Sequence, residues 1–269
     1  MLFAILFFLL SLALALGLPL LCSFSLWWAI PLFIGAELLC HVLFLLSFWV
    51  FCQRGRDRET PLEKQVPQAR AASIQVGRLM CAYGGAIPVI KGKELLPKEG
   101  RFLLVSDHRS LFDPLLVMGF LPEYNISFVS KPENLKLPVI GDLAYAAGFL
   151  AIDRENDREA LKSILRAADY LKRDLCSMGI YPEGHRSRSG RMEPFHAGSF
   201  KIAQRAGVPL VIAATRGTEK LRHGLFLRPH RVELEILEVL PVEQVKAMST
   251  KDLSDYAFHR IARAMGEEG

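Results

Sequence analysis

Apolar side chains run almost unbroken from Met1 to Cys52, and beyond that the pattern breaks into short segments. Within that first stretch Glu37 is the one acidic residue, His41 the one histidine, and Lys and Arg are absent. About 20 apolar residues cross the core of a bilayer. Two such segments fit, Leu2 to Leu21 and Leu26 to Val50, with a turn expected around Pro19 to Ser25. A cleaved signal peptide is the competing reading, with Ala13-Leu14-Ala15 as its cleavage site. A basic n-region is missing and a second hydrophobic segment follows at once, so a retained hairpin fits better. Glu37 and His41 share one face of the second segment. Such a pair marks either a functional site or a mutual hydrogen bond packed against the first helix.

The next stretch, QRGRDRETPLEKQVPQAR, carries Arg54, Arg56, Arg58, Lys64 and Arg70. That cationic character favours the cytoplasmic side and suits anionic headgroups, although an ordinary solvated linker reads equally well. Ala71 to Tyr83 then predicts a short helix near the membrane. The expected division is a hairpin over 1–52, a basic linker with a membrane-proximal helix over 53–84, and a cytoplasmic domain over 85–269.

In that domain the apolar runs at Ala86–Lys91, Arg101–Ser106, Ile126–Ser130, Phe149–Ile152, Gly179–Tyr181 and Val208–Ala214 predict strands. Arg231–Val239 alternates as an outer strand should. Leu161, Ile164, Leu165, Ala168, Leu171 and Leu175 follow helical spacing, with Asn156 or Asp157 as the cap and Gly179 after the end. Ser249–Met265 predicts a closing helix. Strands alternating with helices predict an α/β fold with a mixed, largely parallel sheet flanked by helices, behind the N-terminal membrane helical hairpin.

Composition changes this picture little. The net charge of +5 suits a membrane surface or anionic substrates. Basic runs interleaved with aromatics are missing, which argues against nucleic acid. Cys22, Cys40, Cys52, Cys81 and Cys176 form no CxxC pair, so neither a disulfide framework nor a metal site is indicated.

The chemistry gathers in two clusters. The first is VSDHRSLFDPLL, residues 105 to 116. On one helix His108 and Asp113 would lie roughly 140° apart and would not meet. Pro114 disfavours helical geometry at Asp113 but suits the first helical position, with Asp113 as the N-cap. A buried strand, a tight loop and a helix opening at Asp113 follow from this. Such a loop can fold Asp113 onto the His108 imidazole, fixing its tautomer and leaving the other nitrogen free to take a proton. The second cluster, YPEGHRSRSGRMEPFHAG, is a Gly- and Pro-rich loop with Glu183, Arg186, Arg188 and Arg191. Arginines there suit capture of a phosphate, or simply a solvated basic loop. The pattern is not that of a nucleotide P-loop.

Taken in order, these segments resemble the glycerolipid acyltransferases, in particular the 1-acyl-glycerol-3-phosphate acyltransferase group. His108 to Asp113 matches that family's HxxxxD box, and Phe149–Arg154 (FLAIDR) looks like its second block. Glu183-Gly184-His185-Arg186-Ser187 looks like its EGTRS block, and Val208 to Ile212 resembles its proline-containing fourth block. Two positions depart from the family pattern: Asp107 stands where Asn is common, and His185 where Thr is common.

The resemblance implies acyl transfer from a thioester to a lipid hydroxyl, with His108 as general base and Asp113 orienting it. It implies that Arg186 grips the acceptor phosphate, with Arg154 and Lys131 in support and Gly184 in the same block. Glu183 would hold Arg186 or contact an acceptor hydroxyl. The implied partners are a bilayer, a lysophosphatidic acid-like acceptor, and acyl-CoA or acyl carrier protein as co-substrate, with no cofactor. Ser110 lacks a nucleophile elbow. Other acceptors stay open, namely glycerol-3-phosphate, another lysophospholipid or an ornithine-type lipid. So do a lipid hydrolase using the same His and Asp, and a non-catalytic lipid-binding protein.

Overall fold

The computed structural model describes residues 2–22, 25–53, 62–137, 140–153, 156–187, 191–222 and 228–267. The chain divides into two compact units, Met1–Asp57 and Arg58–Gly269.

The first unit holds α1 (Leu2–Cys22) and α2 (Ala29–Gln53), with a short 3-10 turn at Leu26–Trp28. α1 runs through Pro19 to Cys22, later than the turn expected from the sequence. The helices pack through Phe7 against His41 and Phe44, and through Phe8 against Phe33. His41 Nδ1 donates to the Glu37 backbone carbonyl at 2.7 Å and lies 4.0 Å from its carboxylate. The expected side-chain pair is therefore a bond back to the preceding helical turn. Among the described residues, the helix that is long and apolar enough to cross a membrane covers Ala29–Ser47; the apolar stretch Leu6–Cys22 is shorter.

The second unit is built on a seven-stranded sheet. Its strands are β1 (Ala86–Lys91), β2 (Leu103–Val105), β3 (Ile126–Ser130), β4 (Leu150–Ala151), β5 (Ser177–Ile180), β6 (Leu210–Arg216) and β7 (His230–Leu240). The order is β1-β7-β6-β2-β5-β3-β4. Every neighbouring pair is parallel except β6 with β7. The mixed, largely parallel sheet is thus the one the sequence predicts. β7 is not an outer strand, however. β1 covers it, and Pro88, which lacks an N–H to donate, sits in that edge strand where it does least harm.

Eight helices of this unit are described: α3 (Pro67–Tyr83), α4 (Phe112–Phe120), α5 (Pro132–Lys136), α6 (Ile140–Ala146), α7 (Asp157–Lys172), α8 (Lys201–Ala206), α9 (Val242–Ala247) and α10 (Thr250–Met265). Successive strand residues point to opposite faces, and the sheet buries both. Leu103 and Val105 meet Ile164 and Tyr170 of α7, Ile202 of α8 and Ile261 of α10. Phe102 and Leu104 meet Cys81 of α3 with Leu116 and Val117 of α4. On α7, Asn156 caps the start by accepting from the Arg158 and Glu159 N–H groups. Its buried stripe runs through Ile164, Ala167, Ala168 and Leu171, while Leu161 and Leu165 are exposed. Gly179 does not follow that helix directly but lies inside β5. A Cβ there would stand 2.3 Å from the Phe128 ring, so the bare backbone is what lets Phe128 lie across the strand.

Connectivity then selects where a site can form. From β2 the chain passes through α4 to β3 on one side, whereas from β5 it passes through α8 to β6 on the other. β2 and β5 are neighbours, so the loops leaving their carboxyl ends diverge and open a crevice. Open α/β sheets hold their ligands at such a switch point.

Candidate active site

His108 lies in the loop after β2, and Glu183 to Ser187 lie in the loop after β5. The His108 Nδ1 and Asp113 Oδ2 are 2.9 Å apart. Asp113 is wholly buried, and the same oxygen accepts from the Arg109 and Ser110 N–H groups, each at 2.8 Å. Its other oxygen accepts from the Thr218 hydroxyl. A carboxylate facing backbone N–H groups accepts only, so Nδ1 carries the proton and Nε2 is the basic nitrogen.

Asp113 does not cap α4 as expected. The helix opens one residue earlier, at Phe112, with Leu111 at the N-cap. The carboxylate instead folds back over the two N–H groups ahead of the helix, which is how it reaches the imidazole.

The backbone of His108 is held from the other loop. Glu183 Oε1 accepts from the His108 N–H at 2.7 Å, and the Ser187 N–H donates to the His108 carbonyl at 2.8 Å. Glu183 Oε2 accepts from the Glu193 N–H at 3.0 Å. Thus Glu183 neither holds Arg186 nor faces an acceptor: both of its oxygens are engaged by backbone. Burial pushes its carboxyl up to about 7, with the Asp107 charge adding, against the opposing pull of the two N–H bonds and Arg109. Gly184 makes this possible. At φ 87° it occupies the left-handed region that side chains resist, turning Glu183 inward while His185 and Arg186 remain exposed.

The imidazole also stacks on Tyr181, with centroids 4.2 Å apart and planes at 14°, and Tyr181 stacks on Phe128 at 5.5 Å. Burial raises the Tyr181 phenol well above its ordinary range, with Asp113 and Asp107 adding. The ring next to His108 therefore stays neutral. Tyr181, Thr218 and Thr215 carry no signal in the sequence alone. Thr218 lies 105 residues from Asp113 and enters only through the sheet.

These groups open onto a cleft of about 910 Å³. Phe128, Val129, Phe149 and Tyr181 give it an apolar wall; Lys131 and Arg186 give it a cationic one, with His185 beside them. Arg186 and Lys131 are exposed and make no ion pair among the described residues. His185 stands 3.3 Å from Glu193. Arg154 lies outside the described residues. Among the described residues, no group of three or more His, Cys, Asp and Glu is placed to hold a metal ion.

An imidazole oriented by a buried carboxylate, beside a cleft that is apolar on one wall and cationic on another, suits proton transfer on an amphiphilic anion. Residues 88–215 match the family model described as Acyltransferase. It is 32% identical over 155 residues to a 1-acyl-sn-glycerol-3-phosphate acyltransferase of Cocos nucifera, covering 57% of this chain and 49% of that protein. To a protein of the same description from Limnanthes douglasii it is 33% identical over 164 residues, covering 60% and 57%. The chain spans about half the length of these curated relatives. A Salmonella typhimurium 1-acyl-sn-glycerol-3-phosphate acyltransferase is 27% identical over 71% of this chain and 76% of its own. Among solved structures, the 1-acyl-sn-glycerophosphate (LPA) acyltransferase PlsC of Thermotoga maritima superposes with a TM-score of 0.64. It is 26% identical, over 83% of this chain and 88% of that one.

Proposed function

We propose that this protein transfers a fatty acyl group from an acyl thioester to the free hydroxyl of 1-acyl-glycerol-3-phosphate, giving phosphatidic acid. The observation that carries this reading is the imidazole of His108, fixed by buried Asp113 in a cleft whose other walls are apolar and cationic. The names of the relatives supply the acceptor.

A thioester already has a good leaving group, so the enzyme has three tasks: to activate the hydroxyl, stabilise the developing charge and align the two substrates. His108 Nε2 takes the hydroxyl proton as the oxygen attacks the thioester carbonyl. The C–S bond then breaks, and the leaving thiolate takes the proton back from the imidazolium. Asp113 holds the tautomer and favours the imidazolium. General base catalysis of this kind contributes about 10²- to 10⁴-fold. Arg186 and Lys131 receive the acceptor phosphate, and the donor is acyl-CoA or an acylated carrier protein. The apolar helices hold the chain in the membrane. Arg54, Arg56 and Arg58 keep the catalytic unit on the cytoplasmic face.

The test is an acyl-transfer assay on membranes carrying the full chain, with labelled acyl-CoA or acyl carrier protein, with and without lysophosphatidic acid. Labelled phosphatidic acid that depends on lysophosphatidic acid is expected, and His108→Ala should abolish it at unchanged expression. Transfer by the Ala variant within a fewfold of wild type would remove His108 as the base. Failure to acylate lysophosphatidic acid with either donor would remove the acceptor assignment.

A further inference from the structure

A residue outside all of the family's motifs reaches the His108 loop. At the end of α10, Gly266 turns the chain at φ 72°. Its N–H donates to the Arg263 carbonyl at 3.1 Å, and the Glu267 N–H donates to the Ala262 carbonyl at 2.9 Å. The helix end is itself tied to the sheet, because Arg216, the last residue of β6, donates to the Ala264 carbonyl at 2.5 Å. Glu267 is thereby delivered to the carboxyl ends of the strands. One of its oxygens accepts from the Arg109 guanidinium at 2.5 Å, and the other from the Met192 N–H at 2.8 Å.

Arg109 follows His108 directly. Its Nε donates to Asp107 at 2.8 Å, and Asp107 in turn accepts from the Thr215 N–H at 2.9 Å. A continuous line of bonds therefore runs from β6 through Asp107, Arg109 and Glu267 to the far end of the loop that bears Arg186. Burial pushes the Glu267 carboxyl up, but the Arg109 and Met192 bonds outweigh it and hold the group below its usual range. It is therefore charged at neutral pH.

We propose that Glu267 is a positioning residue for His108, fixing and neutralising Arg109 and setting the spacing between the two loops of the site. The inference rests on the reading of His108 as general base. Two consequences separate it from a mere surface tie. First, the loop geometry loosens without Glu267, and a misplacement of about 1 Å in a catalytic constellation costs on the order of 10²-fold. Second, Arg109 loses a carboxylate partner, so its charge weighs more heavily on the neighbouring imidazole. A nearby cation disfavours the imidazolium and lowers the histidine pKa.

The experiment compares Glu267→Ala and Glu267→Gln in the full membrane-bound chain, reading kcat, both KM values, thermal stability and the pH profile of kcat/KM. Glu267→Ala should lower kcat by about ten-fold or more, with the acceptor KM changing less than about twofold. The acidic limb of its profile should move to lower pH. Glu267→Gln keeps a polar bridge but no charge, so it should recover most of kcat and retain the shifted limb. Wild-type kcat and profile in Glu267→Ala overturns the proposal. So does a loss of kcat that follows thermal stability, with an unmoved acidic limb and no recovery in the Gln variant. His108→Ala is run beside them. If it stays active the base assignment fails, whereas an inactive His108→Ala with an unaffected Glu267→Ala defeats the positioning role alone.

Discussion

The two loops that meet at the site are built on opposite principles. In the loop after β2 the charged side chains are anchored in the protein: Asp107 and Asp113 are buried against N–H groups, and Arg109 lies between Asp107 and Glu267. The loop after β5 divides at Gly184. Its first part, Tyr181 to Glu183, is buried and grips His108, whereas His185 and Arg186 face the cleft. Arg109 and Arg186 both line the cleft, yet Arg109 is already bound to two carboxylates whereas Arg186 is exposed. A guanidinium that already bridges two carboxylates has little left for a third anion. The buried anions hold the geometry, and the exposed cations line the cleft.

The comparison is tested most severely at Asp113. Asp113→Asn keeps an oxygen for the Arg109 and Ser110 N–H groups, and the Thr218 hydroxyl can rotate to accept from the new amide. The fold should survive, but the charge that favours the imidazolium is lost. A fall in kcat of about 10²- to 10⁴-fold is expected, with circular dichroism unchanged. A variant of near wild-type kcat would reduce Asp113 to a backbone anchor.

The two arginines should separate next. Arg186→Lys loses the planar fork that meets two phosphate oxygens at once, and charge-assisted bonds contribute about 1.5 to 3 kcal/mol each. The acceptor KM should rise about ten-fold or more, with the donor KM little changed. Arg109→Lys should do the reverse, lowering kcat and thermal stability while sparing the acceptor KM. If both variants raised the acceptor KM alike, the distinction between an anchored and a receiving arginine would fail.

Sequence reasoning reached the sheet because apolar runs and turn residues are local signals. It reached the His108–Asp113 pair because a single helix would hold the two side chains roughly 140° apart, although the helix opens at Phe112 and includes Asp113. It placed β7 outermost because alternation reports which faces are buried, not how many neighbours a strand has. It gave Glu183 to the substrate because a carboxylate in a basic loop invites a side-chain partner, and the backbone N–H groups of His108 and Glu193 are invisible until the loops are folded together. Thr218, Tyr181 and Glu267 were beyond reach for the same reason. Their partners are brought near by strand order, which no local pattern encodes.

A smaller effect is expected at Thr218. Thr218→Val deprives buried Asp113 of one donor, and a buried acceptor left unsatisfied costs about 1 to 3 kcal/mol. The melting temperature should fall by several degrees and kcat by less than in Asp113→Asn. An unchanged melting temperature would mean that Asp113 is held by the backbone alone.

The smallest expected effect tests whether Glu183 is a buried anion with the cost that implies. Its carboxyl titrates at about 7 in the folded protein, against about 4.3 for an ordinary glutamate. Between those values the folded state binds more protons than the unfolded one, so stability falls as pH rises. The contribution is fully present below the ordinary pKa and is lost as pH climbs through about 7. Glu183→Gln cannot titrate, although its amide turns a donor toward one of the two N–H groups and lowers stability at every pH. Groups other than Glu183 are common to both proteins, so the comparison isolates its contribution. Melting temperatures measured from about pH 5 to pH 8 should therefore fall more steeply for wild type than for the variant. Parallel curves would mean that Glu183 ionises like a surface carboxylate. The loop after β5 would then have no strained anion to set against its exposed arginine.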